Sequence, residues 1–175
     1  MITQYTNFEK SNYAIVTIAI WEKYAKKSWK NYCNKYKLNL FVITEHLISY
    51  DHKNWKKPTW QKLLIGDTLK KLNIKSENIC YLDTDILISP NAKNIFESYN
   101  SNSYGLVSKI KNLPFDLHTT LRKVAFFRNR FVDNTYPLDL ALFMPLEKIY
   151  EYSNLSPQIN SACAGVVMFN IKNHA

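Results

Sequence analysis

The chain has 175 residues, 46% of them hydrophobic, which fits one soluble globular domain with its own core and argues against two domains. Its 23 Lys and Arg outnumber its 14 Asp and Glu, and the net charge of +9 calls for an anionic partner: nucleic acid, an anionic membrane surface or a phosphorylated small molecule. Because the sequence carries no zinc-finger, RNP-type or helix-turn-helix signature, sequence-specific nucleic-acid binding is disfavoured.

The apolar residues and the cysteines indicate where in the cell the protein is expected to lie. No run approaches the roughly 20 consecutive apolar residues of a membrane span, and the first residues lack the features of a signal peptide, so we expect a cytoplasmic protein. Peripheral contact with a membrane surface stays open, because residues 121–131 mix cations with aromatics, as an interfacial helix or a core-packed helix would. Cys33, Cys80 and Cys163 are odd in number and lack C-x-x-C spacing, which predicts reduced packing residues.

Taken in chain order, apolar runs alternate with segments of helical periodicity. Strands are predicted over residues 13–20, 38–44, 79–88, 104–108 and 162–170, and helices over 21–37, 59–72 and 89–97. The helix over 59–72 has Trp60 on its apolar side and Asn73 as its stop, and Ser89 and Pro90 are expected to open the last helix.

This alternation predicts an α/β fold with a mostly parallel sheet flanked by helices. We expect a single domain over 1–175. Prolines break up the region 110–158, which is predicted to hold an irregular insertion of helices and a long loop near the site.

Two carboxylates interrupt the apolar run of the third predicted strand. Because strand side chains alternate with period two, Asp83 and Asp85 are expected on one face and Thr84 on the other. Burying two anions without a counter-charge is costly, so a positive group is expected beside them. A hard cation such as Mg²⁺ or Mn²⁺, bridging to substrate phosphates, is the natural candidate. An Asp-x-Asp at a strand end can also be a turn former or an exposed rim, and that interpretation stays open.

Three segments in this order resemble the nucleotide-diphospho-sugar glycosyltransferases of the GT-A fold: 59–64 (TWQKLL), 81–88 (YLDTDILI) and 160–170 (NSACAGVVMFN). The resemblance implies a Rossmann-like sheet and a metal-dependent enzyme. Such an enzyme transfers a sugar from a nucleotide-diphosphate donor, such as a UDP- or GDP-sugar, to the hydroxyl of a glycan or another acceptor. It implies that Asp83 and Asp85 bind Mn²⁺ or Mg²⁺, with Asp85 the principal ligand and Asp83 reaching the ribose or the metal.

The resemblance also implies which other residues contact the donor. A basic residue on the helix over 59–72 commonly faces the donor, and a small-residue strand lies beside the donor sugar, where glycine admits close backbone approach. The end of the first strand holds the base and ribose. In this chain those residues are Lys62, then Ala164, Gly165 and Val166, then Thr17, Ala19 and Tyr24.

Two other functions stay open, and no catalytic base is assigned. The chain ends at Ala175, where the acceptor-binding half of such enzymes commonly begins, so we expect it to bind a donor but to turn it over poorly. A noncatalytic nucleotide-sugar- or glycan-binding domain is therefore one alternative. A phosphatase of the haloacid-dehalogenase type is the other, with Asp83 as nucleophile and Asp85 as acid/base. Against the phosphatase, two strand–helix units precede the motif and no acidic doublet follows Asp85.

Overall fold

The computed structural model describes residues 2–20, 26–108, 151, 154–156 and 162–174. The chain divides into two compact units, one formed by Met1–Leu106 with Ala164–Ala175 and the other by Val107–Cys163. Most of the described residues belong to the first unit. The insertion predicted over 110–158, including the segment 121–131, lies outside the described residues except for 151 and 154–156.

The described elements follow one another as short strands and helices. In chain order they are β1 (Ile2–Thr6), β2 (Tyr13–Ile18), α1 (Lys26–Tyr36), β3 (Asn39–Ile43), α2 (Pro58–Gln61), a 3₁₀ turn (Lys62–Leu64), α3 (Ile65–Lys71), β4 (Asn78–Leu82), a second 3₁₀ turn (Ile95–Ser98), β5 (Gly105–Ser108), β6 (Ala162–Asn170) and α4 (Ile171–His174). None of the helices within the described ranges is long and apolar enough to cross a membrane.

Six strands form one mixed sheet in the order β1-β3-β2-β4-β6-β5. The centre is parallel, since β2 pairs in parallel with both β3 and β4. Towards the edges, β1 runs antiparallel to β3, and β6 runs antiparallel to β4. The predicted α/β class is therefore confirmed, whereas the sheet is mixed rather than mostly parallel. Strand β1, whose apolar and polar residues mix without a clear pattern, was not predicted.

Helices cover both faces of the central strands. Alternate residues of β2 enter two separate clusters: Val16 joins Ile65 and Leu69 of α3, and Ile15 joins Trp29 of α1. Residues 14 to 18 are all buried, which explains why four of these five residues of β2 are apolar. The sheet is thus the middle layer of three.

The prediction of a strand over 79–88 is wrong for its second half. Strand β4 ends at Leu82, and the chain turns immediately, with the amide of Ile86 donating to the carbonyl of Asp83 at 3.2 Å. Ile86 and Ile88 pack against the cluster beneath α1, and Trp29 Nε1 donates to the carbonyl of Ile86 at 2.8 Å. The apolar residues after the aspartates therefore reflect packing against a helix, not continuation of a strand.

The helix predicted over 59–72 is present in three pieces, α2, the first 3₁₀ turn and α3. It ends at Lys71, and Asn73 adopts a left-handed φ of 53°, so the predicted stop is confirmed. The expectation that Trp60 lies in the core is wrong, because this side chain is 64% exposed whereas its neighbour Gln61 is only 1% exposed.

The helix predicted over 89–97 does not form. The second 3₁₀ turn alone is helical in this segment, and the Asn94 side chain accepts from the amide of Phe96 to cap it. Hydroxyl groups of α1 hold the preceding backbone instead. Tyr32 accepts from the amide of Ile95 at 2.7 Å and donates to the carbonyl of Lys93 at 2.9 Å, while Tyr36 donates to the carbonyl of Ala92 at 2.8 Å.

Candidate functional site

A cleft of about 550 Å³ opens where the parallel strands β2 and β4 end. The carboxyl ends of adjacent parallel strands meet at one sheet edge, the usual place for ligands in α/β proteins. The cleft is lined by Ile18, Ala19 and Ile20 from the end of β2, by Tyr81, Asp83, Thr84 and Asp85 from β4 and the turn after it, and by Trp55, Lys57, Pro58 and Thr59, which lead into α2.

Asp83 is held in place from three directions. Its Oδ1 accepts from Lys62 Nζ at 3.0 Å and from the hydroxyl of Tyr81 at 2.7 Å. Its backbone amide donates to the carbonyl of Gly165 in β6 at 2.8 Å. Lys62 also donates to the carbonyl of Ala164 at 2.9 Å and lies 4.8 Å from the centre of the Tyr81 ring. These contacts fix the carboxylate with one oxygen occupied.

The positive group expected beside the aspartates is therefore Lys62, at least for Asp83. The Lys62 side chain is 11% exposed and that of Asp83 is 37% exposed, so the pair is only partly withdrawn from water. Asp85 is exposed, and it makes no ion pair or hydrogen bond within the described part of the chain. Oδ2 of Asp83 and the carboxylate of Asp85 are thus the acidic oxygens that remain for a ligand.

Asp83 and Asp85 do not lie on one face of a strand, as the sequence suggested. They occupy a turn, where period-two alternation no longer applies, yet both line the same cleft. Among the described residues no group of three His, Cys, Asp or Glu is arranged to hold a metal ion. Two carboxylates nevertheless suit Mg²⁺, which commonly takes one or two protein carboxylates and completes its shell with water and substrate phosphate.

The residues predicted around the base and ribose differ in their placement. Ala19 lines the cleft. Thr17 is fully buried and does not line it, and its hydroxyl donates to the carbonyl of Leu82 at 2.7 Å, so this side chain links β2 to β4. Tyr24 lies outside the described residues.

The residues predicted around the donor sugar lie beside the cleft. Lys62 and Ala164 line an adjoining, mainly apolar pocket of about 310 Å³, and Tyr81 lines both cavities. Gly165 accepts from the amide of Asp83, and Val166 pairs with Leu82 across β6 and β4. They contact the turn that contains Asp83 and Asp85 in two ways, through the backbone carbonyl of Gly165 in β6 and through the Lys62 side chain.

Several residues that line the cleft were not predicted from the sequence as site residues, among them Trp55, Lys57 and Thr59. Lys57 and Thr59 flank Pro58, which occupies the first position of α2. A proline at a helix start is a signal that could have located the rim of the cleft, because such a residue marks where the chain leaves a loop. Comparison with protein-family models, curated proteins and solved structures found no match, so only the site bears on function.

Proposed function

We propose that this protein binds a nucleotide-diphosphate sugar in the β2–β4 cleft and transfers the sugar to a hydroxyl acceptor, in a sheet of the GT-A kind. The observation that carries the proposal is the meeting of Asp83 and Asp85 in one cleft at the carboxyl ends of two parallel strands. A diphosphate needs positive charge around it, and Lys57 in the cleft and the net charge of +9 favour such a ligand.

The roles of the two aspartates follow from their surroundings. Asp85, exposed in the cleft, would be the principal ligand of Mn²⁺ or Mg²⁺, and Asp83, fixed by Lys62 and Tyr81, would present Oδ2 to the metal or to the ribose. When bound, the cation supplies Lewis-acid stabilisation of the negative charge that develops on the departing nucleoside diphosphate. Lys57 adds a further positive charge at the cleft wall.

Thermal unfolding with UDP and with GDP, each with and without Mn²⁺, tests the proposal. A ligand at a hundredfold excess over its dissociation constant stabilises the folded state by about 2.7 kcal/mol. We expect a metal-dependent rise in melting temperature for the wild type and loss of that rise in Asp85→Asn. Asp67→Asn removes the same charge from an exposed position on α3 outside the cleft and should retain it.

The outcomes separate the proposal from its alternatives. If no nucleotide moves the melting curve with or without metal, nucleotide-sugar binding is excluded. Binding without release of nucleoside diphosphate from any nucleotide sugar, with or without glycan acceptors, would indicate the noncatalytic binding domain. Hydrolysis of an aryl phosphate that disappears in Asp83→Asn would indicate the phosphatase.

A further inference from the structure

The cleft has two chemically different parts. Asp83, Thr84 and Asp85 supply the polar part, and an apolar part is formed by the end of β2 together with Trp55 and Pro58. A nucleoside diphosphate has the same division, a charged diphosphate and a planar heteroaromatic base. This inference rests on the proposed function, and it concerns the apolar part.

The loop that carries Trp55 is fixed by one buried side chain. Gln61 is 1% exposed, and its Oε1 accepts from the amides of Leu47 at 2.6 Å and Ile48 at 3.4 Å. Its Nε2 donates to the carbonyl of Lys56 at 2.7 Å and lies 3.1 Å from His46 Nδ1. The Gln61 amide group therefore joins residues 47 and 48, at the beginning of the loop, to residue 56, which directly follows Trp55. A fully bonded buried polar group of this kind specifies a single local arrangement.

Ring packing sets the position of the indole itself. The ring centre of Trp55 lies 4.7 Å from that of Tyr50 and 6.0 Å from that of His46, in tilted and edge-on arrangements. Its buried Nε1 has no hydrogen-bond partner within the ranges the structure describes. The indole is thus held from one side by aromatic rings on a clamped loop, and it contributes to the wall of the cleft.

We infer that Trp55, on the loop to which the Gln61 amide is hydrogen-bonded, is the wall against which the nucleobase of the donor stacks. A pre-fixed aromatic surface gains affinity because little freedom is lost on binding. Stacking is tolerant of base identity, since every base has a π-face. Trp55 therefore strengthens binding of pyrimidine and purine nucleotides alike, and the choice between bases belongs to other groups.

Calorimetric titration of the full chain with UDP, GDP and inorganic pyrophosphate, each with Mn²⁺, tests the inference. Pyrophosphate carries the diphosphate without a base. In Trp55→Leu we expect UDP and GDP to bind about 10-fold more weakly or worse and pyrophosphate to bind as in the wild type. Trp55→Phe keeps a ring and should retain part of the affinity. Trp60→Leu is the matched control, because Trp60 is exposed, lies on the same segment and does not line the cleft.

Each other outcome counts against the inference. It is overturned if Trp55→Leu binds the nucleotides as the wild type does, if it loses pyrophosphate to the same extent, or if Trp60→Leu shows the same loss. In all three cases the wild type still binds nucleotide, and the proposed function survives. Failure of the wild type to bind either nucleotide overturns both proposals at once.

Discussion

The ammonium group of Lys62 lies 3.0 Å from Oδ1 of Asp83, although the two residues belong to different elements, the first 3₁₀ turn and the turn after β4. Tyr81 donates to the same oxygen at 2.7 Å. The aspartate nearest to β4 is thus neutralised by the protein itself. The different roles proposed for the two carboxylates rest on this contact, because of the two only Asp85 is left without a cationic partner in the described part of the chain.

The Lys62–Asp83 pair should show energetic coupling. Lys62→Met loses the ion pair and the hydrogen bond to the carbonyl of Ala164, and we expect it to lower the free energy of unfolding by roughly 1 to 2 kcal/mol. The lower end is favoured because Asp83 is 37% exposed and partly screened by water. The double variant with Asp83→Asn should cost less than the sum of the single variants by about 0.5 to 1 kcal/mol in urea titrations.

Strict additivity in this cycle would show that the pair contributes nothing measurable. Lys71→Met, at an exposed position of α3, is the matched control for removing a lysine charge, and it should change the stability by no more than about 0.5 kcal/mol.

Thr17 should matter for stability and not for ligand binding. Thr17→Val keeps the shape of the side chain but removes the buried donor to the carbonyl of Leu82, so we expect a loss of about 1 to 3 kcal/mol in urea unfolding. Thr17→Ser keeps the hydroxyl and its hydrogen bond to the carbonyl of Leu82, so it should lower the free energy of unfolding less than Thr17→Val does. Nucleotide affinity of the folded Thr17→Val protein should equal that of the wild type, and a selective loss of affinity would place Thr17 in the binding site after all.

Glu77 should make stability depend on pH in the acid range. The hydrogen bond from Lys172 lowers the pKa of Glu77 below its ordinary value of 4.5. A carboxyl whose pKa is depressed in the folded state stabilises the protein above its unfolded-state pKa and loses this effect as the pH falls through the folded-state pKa. Glu77→Gln should therefore melt below the wild type at pH 7, and the difference should shrink as the pH falls below 4.5.

Glu9→Gln, which removes an exposed carboxylate outside this ion pair, is the control for the change in net charge. A difference between wild type and Glu77→Gln that stays constant from pH 7 to pH 2 would contradict the assignment, because it could not arise from the titration of Glu77.

The cysteines should differ in their reactivity. Burial raises the pKa of Cys33 and of Cys80 to about 12, and both side chains are inaccessible to solvent. Cys163 is partly exposed. Ellman's reagent at pH 8 should titrate one thiol quickly in the native protein and all three after denaturation. The fast thiol should be missing in Cys163→Ser; two fast thiols in the native wild type would show that Cys33 or Cys80 is accessible.

Part of the fold follows from local sequence patterns. The runs that became β2, β3 and β4 are mostly apolar and almost entirely buried because helices cover both faces of the sheet centre, and this pattern can be recognised in each strand alone. The same reasoning from apolar runs wrongly extended the predicted strand beyond Asp85 to residue 88. Ile86 and Ile88 are apolar because they pack beneath α1, and a residue's sequence neighbours do not tell which element it will contact.

Other parts of the site depend on contacts between residues distant in sequence. Helical spacing predicted Trp60 in the core and gave no reason to bury Gln61, yet the Gln61 amide is hydrogen-bonded to both Leu47 and Lys56, on either side of the loop that carries Trp55. That Asp83 and Asp85 bear on a ligand site could be proposed from residue type and spacing. That Lys62 neutralises one of them required the fold, since 21 positions separate Lys62 from Asp83.

The pairing of β6 with β4 has a consequence for how the site comes into being. β6 is the last described strand in chain order, and its Gly165 carbonyl receives the amide of Asp83. During synthesis β2, β3 and β4 all leave the ribosome well before β6 does. The turn that contains Asp83 and Asp85 therefore gains this backbone hydrogen bond only when β6 pairs with β4. Pairing between strands so far apart in sequence closes a long loop and is slow. The strands in the middle of the sheet can pair before β6 has been synthesised, whereas the hydrogen bond that anchors the Asp83 backbone cannot form until β6 is present.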